Sequence, residues 1–339
     1  MENFLPIGKL PVDLLIHLLA QAPHNDPRVI LGPGIGLDCA VIDFGESLLV
    51  IKTDPITFAS DEIGWYAVQV NANDIATTGA TPRWFMLTLL LPENQTTPEL
   101  IEKIIGQVYK ACQTMGVSVV GGHTEITHDL KRPILVGTML GEVSRQQLIT
   151  PRGAKPGDSL LLTKGIPIEA TAILAREFPE HLSGYLTTAE IATARDFLYT
   201  PGISILRDAQ IAISSGKVNA MHDPTEGGLA GALWELAESS QRKLVVNLNN
   251  IPVPPLSARI CRVFDLNPWA VIASGALLLS VAAADVNIIC KALEKAGIVS
   301  AEIGYVEDGP ISVWLSDNAK KILLPRPEQD ELTKLYEQK

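Results

Sequence analysis

Asp54, Asn71, Asp74 and Thr78 fall within one stretch, TDPITFASDEIGWYAVQVNANDIATTGATPRWFM at residues 53–86, and all offer oxygen or amide ligands. Asp54 follows the apolar run Leu48–Ile51 and Lys52-Thr53, which places it where a strand opens into a loop, a usual position for a ligand-facing carboxylate. Asn71, Asp74 and Thr78 recur at steps of three and four and so share one face of a helix that is otherwise apolar. A carboxylate buried there needs a partner or a cation, because leaving it bare costs several kcal/mol, in rough terms. A core aspartate bonded to backbone or to a distant arginine is the competing reading, and this stretch leaves both open. Glycine-rich segments lie on either side. Gly32, Gly34 and Gly36 precede Asp38, and Gly121-Gly122-His123-Thr124-Glu125 follows a short apolar run. In the second half, Asp223, Thr225, Gly227 and Gly228 sit where a strand turns into a helix, a corner suited to an anion or a metal-bound phosphate, or simply to capping. Neither the G-x-G-x-x-G dinucleotide spacing nor a G-x-x-x-x-G-K-[ST] loop occurs. His123 and His128 lack a third ligand nearby and read as polar loop residues.

The pattern predicts these elements to position the groups. A helix spans 10–20, strands span 38–44 and 48–53, and a buried helix starts behind Ser60 with Asp61 and Glu62 in its first turn and stops at Gly79. Strands at 83–91, 117–120 and 133–143 and a helix at 97–115 follow, with GGHTEIT (121–127) as a ligand loop. The turn-rich segment TPRGAKPGDS marks a domain boundary near residue 150, dividing the chain into 1–150 and 151–339. Beyond it the expected order is strand 160–163, helices 167–177, 187–198 and 203–214, a strand ending near Met221, and a helix from Gly227 to about Ser239. Strands near 244–248, 275–282, 301–305 and 311–315 alternate with helices at 256–264 and 285–296. Hairpins mixed with crossovers imply two α+β domains.

A chain of 339 residues with 47% hydrophobic and 19% charged residues has enough apolar content for two packed cores. A formal charge of -11 without a Lys/Arg cluster excludes a nucleic-acid backbone as partner. Cys39, Cys112, Cys261 and Cys290 are scattered without a C-x-x-C pair, so neither a zinc site nor a disulfide framework is expected. No basic leader precedes an apolar run, and no apolar window reaches membrane-spanning length. The expectation is a cytoplasmic protein with no membrane partner.

GLDCAVI, TD, NDIATTGATP, GGHTE and HDPTEGGL, in this order, resemble the aminoimidazole ribonucleotide synthetase (PurM-like) superfamily over about residues 30–315. The HDPTEGGL form is that of HypE-like hydrogenase maturation factors. The resemblance implies a two-domain PurM-like α+β fold, an N-terminal sheet that forms a dimer barrel with its copy, and ATP and Mg2+ as cofactors. It assigns Asp38, Asp54 and Asp74 to the metal. Gly36, Asn71, Gly121–Glu125, Asp223, Thr225, Gly227 and Gly228 would surround the nucleotide or the second substrate. The activity implied is ATP-dependent activation of an amide, carbonyl or phosphate-accepting substrate, small or protein-borne. Alternatives within the same resemblance are a kinase of the thiamin monophosphate type and a non-catalytic nucleotide-binding assembly factor. Leu37 and His123 stand where the family places acids, and LLPRPEQDELTKLYEQK lacks the cysteine that ends HypE itself.

Overall fold

Period-two alternation of side chains builds the first sheet. In the computed structural model, which describes residues 5, 8–23, 26–59, 61–317 and 320–337, a short helix α1 (Val12–Leu19) precedes six strands. These are β1 (Val29–Leu31), β2 (Ala40–Asp43), β3 (Leu48–Ile56), β4 (Thr81–Pro92), β5 (Ser118–Thr127) and β6 (Ile134–Val143), arranged β1-β2-β3-β6-β4-β5. Every pairing is antiparallel except β4 with β5. Val50, Lys52, Asp54 and Ile56 share one face of β3, and that face carries α2 (Ile63–Thr77), which is buried along nearly its whole length. Helix α3 (Pro98–Met115) packs on α2; Thr97 caps its start, and Gly116 ends it in the left-handed conformation. The close approach of α2 to the sheet depends on two glycines of β6. A Cβ on Gly137 would lie 2.5 Å from Asn71 Nδ2, and one on Gly141 would run into the Ile75 side chain.

The second sheet contains β7 (Asp158–Thr163), β8 (Val218–His222), β9 (Lys243–Asn247), β10 (Leu278–Ala282), β11 (Ser300–Glu307), β12 (Ser312–Asp317) and β13 (Lys320–Leu323). Its order is β13-β12-β9-β11-β7-β10-β8, with β12 and β9 parallel and the remaining pairs antiparallel. The helices of this half are α4 (Ile168–Glu177), α5 (Pro179–Leu182), α6 (Thr188–Asp196), α7 (Leu206–Ser215), α8 (Gly228–Ser240), α9 (Pro255–Val263), α10 (Val286–Lys295) and α11 (Lys334–Glu337). The core joins apolar residues of α8, among them Leu229, Leu233 and Leu236, to Leu160, Leu162, Leu244, Val246 and Leu278 of the sheet.

By contact, one unit comprises Asp26–Gly32 and Asp38–Leu148, and the other Met1–Asn25, Pro33–Leu37 and Ile149–Lys339. The division at 148/149 lies beside the expected boundary, but the chain is not shared out as two contiguous stretches, because two segments before residue 38 group with the later half. Gly36 shows one reason. It is left-handed (φ +64°), and a Cβ there would come within 2.6 Å of the Glu235 backbone oxygen on α8.

Three local expectations are corrected. Strand β3 continues through Pro55 to Ile56 because β6 pairs with it to Leu135, so Asp54 lies within a strand rather than at a loop. Glu62 is left-handed (φ 57°), so Asp61 and Glu62 precede α2 instead of forming its first turn; Ser60, the expected cap, lies outside the described residues. GGHTEIT is no loop. It is the second part of β5, in register with Met86–Pro92 of β4.

Candidate functional site

The alternation of β3 and the helical spacing of α2 bring one set of charges together. Lys52 and Asp54, two residues apart, project on the same side of β3 toward α2, from which Asp74 projects. Lys52 Nζ lies 3.0 Å from an Asp74 carboxylate oxygen and 3.6 Å from one of Asp54. The Asp74 side chain is 2% exposed, that of Lys52 14% and that of Asp54 34%, so the cluster is deepest at the helix and opens along the strand. Burial opposes the charge on Lys52. The carboxylates of Asp74, then Asp38 and Asp54, outweigh it and hold the ammonium well above the ordinary lysine range. Asn71 fixes the frame: its amide donates to Asp54 O at 3.3 Å and to Ala67 O at 2.8 Å, over the space that Gly137 leaves open.

Asp54 and Asp74, expected as metal-holding acids, thus meet at a lysine, on which the charge of Asp38 also acts. Carboxylate oxygens are the hard donors that Mg2+ prefers, and the partly exposed Asp54 leaves an open side. The donor set therefore fits a divalent ion, with the ammonium already placed against two of its three acids. Lys52 escaped the sequence reading. Its signal was a lysine inside the run LLVIKTD at the same strand parity as Val50 and Asp54.

The glycine-rich stretch is placed elsewhere. His123 and Glu125 pair across β4 with Thr88 and Leu90, on the sheet face opposite Asp54, and the His123 Nε2 to Glu125 Oε2 distance is 3.2 Å. Gly121–Glu125 are exposed on β5 and do not join the acid cluster of their own unit.

In the other unit, β8 delivers His222 and the buried Asp223 to the turn before α8. Gly228, left-handed at φ +59°, lets that turn press against Trp269 O and Val271 O, which a Cβ would meet at 2.6 and 2.7 Å. Thr225 contributes its carbonyl, which accepts from Gly228 N–H at 2.9 Å. The Gly227 N–H, at the expected anion corner, donates instead to the Asp330 carboxylate at 2.7 Å. Burial pushes Asp330 up to about 7 against two backbone N–H bonds. Glu169, wholly buried and bonded to Ser274 N–H at 3.1 Å, is likewise raised by burial to about 7. His222 Nε2 lies 2.8 Å from Glu235 Oε2 on α8. Sequence reading missed Glu169, Glu235 and Asp330, since nothing local distinguishes them from surface acids.

Comparison with known proteins gives concordant results. Residues 36–143 match the AIR synthase related protein, N-terminal domain, and residues 155–315 match the corresponding C-terminal domain. A hydrogenase expression/formation protein of Methanocaldococcus jannaschii is 30% identical over 259 residues, 73% of each chain. The carbamoyl dehydratase HypE of Cupriavidus necator is 29% identical over 275 residues, 77% of this chain and 74% of that one. The crystal structure of a hydrogenase maturation protein HypE in complex with ATP superposes with a TM-score of 0.71 at 22% identity, covering 95% of this chain and 98% of its own, and so shares the two-domain PurM-like fold. The chain belongs to the AIR synthase related family and stands close to the HypE hydrogenase maturation proteins.

Proposed function

We propose that this protein binds ATP with Mg2+ in the cytoplasm and uses it to activate an oxygen of an amide, carbonyl or phosphate-accepting substrate, small or protein-borne. The observation that carries the reading is the meeting of Asp54 and Asp74 at a single cationic centre, on which the charge of Asp38 in the same unit also acts. Carboxylates alone repel a triphosphate, and a bound divalent ion supplies the charge that makes such a site attractive to one. Asp54 is the acid with an open side, Asp74 is the buried anchor, and Asn71 holds the strand end against α2. The relatedness to a carbamoyl dehydratase, and the fold shared with a protein crystallised with ATP, support the nucleotide. We place Gly36, Asp223, Thr225, Gly227 and Gly228 with the nucleotide or second substrate, and Gly121–Glu125 likewise, though β5 turns Gly121, His123 and Glu125 to the sheet face opposite Asp54.

Asp54→Asn tests the reading. The substitution is nearly isosteric at a partly exposed position. The loss of one charge-assisted ligand should weaken Mg-ATP binding about ten- to a hundredfold, roughly 1.5–3 kcal/mol. Thermal melts with and without Mg-ATP read it directly, because a ligand stabilises only the state it binds. A wild-type protein with no Mg-ATP shift, or a variant that keeps the full shift, removes the proposal.

A further inference from the structure

We propose that Lys52 is a resident cation of the acid cluster, its ammonium occupying the position between Asp54 and Asp74 that a metal ion would otherwise take, so that the cluster admits a single divalent ion. The inference deepens the ATP/Mg2+ reading above and rests on it only for the identity of that ion.

The geometry points to this role. The Lys52 side chain is almost enclosed and ends 3.0 Å from Asp74 and 3.6 Å from Asp54. A divalent ion bridging the same two oxygens would have to occupy the volume the ammonium fills, and like charges at that separation repel strongly in a partly buried site. Three carboxylates and one ammonium leave a net charge of −2, which one divalent ion cancels. A second such ion would leave the cluster with excess positive charge. The Asp74 end of the cluster is therefore closed by the chain itself, and Asp54, at its open side, is left to face an incoming ion. A lysine is suited to the task because its compact point charge and three donors need no fixed coordination geometry.

The test is a Mn2+ titration of the full chain without nucleotide, followed by paramagnetic resonance and calorimetry. Wild type should bind no more than one Mn2+ per chain. Lys52→Met should bind Mn2+ at least about tenfold more tightly or take up a second ion, because one like charge within a few ångströms has been removed. Lys52→Arg, which keeps the charge, should behave as wild type. Lys52→Met with Asp74→Asn, which removes both charges, should lose the gain. If Lys52→Met does not fold alone, Mn2+ added during refolding should restore it, and refolding that ignores Mn2+ overturns the proposal. A folded Lys52→Met with wild-type affinity and stoichiometry also overturns it. Because no nucleotide is present, this failure is separate from a failure to bind ATP, which the thermal melts report.

Discussion

At the scale of single residues, the carboxylates divide by what surrounds them. Asp74 is buried beside an ammonium, whereas Glu169 and Asp330 are buried among backbone N–H groups and other acids, and burial raises both of the latter to about 7. A group whose folded value exceeds its unfolded one binds protons more tightly in the native state. Its contribution to stability is complete below the ordinary carboxylate range and is lost as pH rises toward and through 7. The melting temperature should therefore fall between pH 5.5 and 8. Acids held low by partners, such as Glu190, which accepts from Thr187 N–H and pairs with Arg259, have finished titrating below that window. Glu169→Gln keeps an acceptor for Ser274 N–H and removes the charge, so its melting temperature should fall less over the same range. The difference at pH 8 should be at most about 3 kcal/mol. A variant with the wild-type slope would show that Glu169 is not the titrating group.

At the scale of elements, the approach of α2 to β6 decides whether Asn71 and Asp74 reach the strand that carries Lys52 and Asp54. Gly137 is the contact point, so Gly137→Ala forces its new methyl against Asn71 and Phe85. Overpacking of this kind should destabilise by about 1–3 kcal/mol. It should also weaken Mg-ATP binding, which chemical denaturation and calorimetry on the same preparation can separate. A fully stable Gly137→Ala would mean that the helix can move away from the sheet. The elements themselves were largely legible in the sequence. Periodicity identified α2, α3, β4 and β6 to within a few residues, and Gly79 marked the end of α2 because left-handed caps favour glycine. The full extents of two strands were not legible, for a common reason. Whether β3 passes through Pro55 and whether β5 passes through Gly121-Gly122 depends on the neighbouring strand that supplies hydrogen bonds. Local composition carries only the turn signals of Pro and Gly. The acid cluster was legible as aspartates, while the lysine at its centre required knowing which strand face α2 would cover.

At the scale of the whole molecule, the outer face of the N-terminal sheet remains apolar. Leu49 and Ile51 of β3, Val136 and Leu140 of β6, and Trp84 and Leu90 of β4 are only half-buried there, and Met86 is exposed. The edge strand β5 carries exposed Val120 at a bulge beside this face. Such a face, next to an edge with open backbone groups, favours a second copy over solvent. A homodimer formed through this sheet is the expected assembly, and sedimentation at micromolar concentration should give twice the chain mass. Met86→Glu should shift the population toward monomer without lowering the stability of the single chain. A wild-type protein that sediments as a monomer would exclude the dimer. Among the described residues no helix is long and apolar enough to cross a membrane.

The grouping of Met1–Asn25 and Pro33–Leu37 with Ile149–Lys339 bears on the birth of the molecule at the ribosome. Two segments that precede residue 38 belong to the unit whose other residues follow residue 148, so α1 and the Gly36 turn emerge well before α8, whose Glu235 backbone the turn lies against. The stretch 38–148, synthesised between them, groups with the other unit. The Gly36 turn must wait for α8, and their docking is a late, sequence-distant step of the kind that slows folding. Expression of residues 149–339 alone would separate α8 from the turn that lies against it, and a circular permutant beginning at residue 38 would have the turn synthesised after α8.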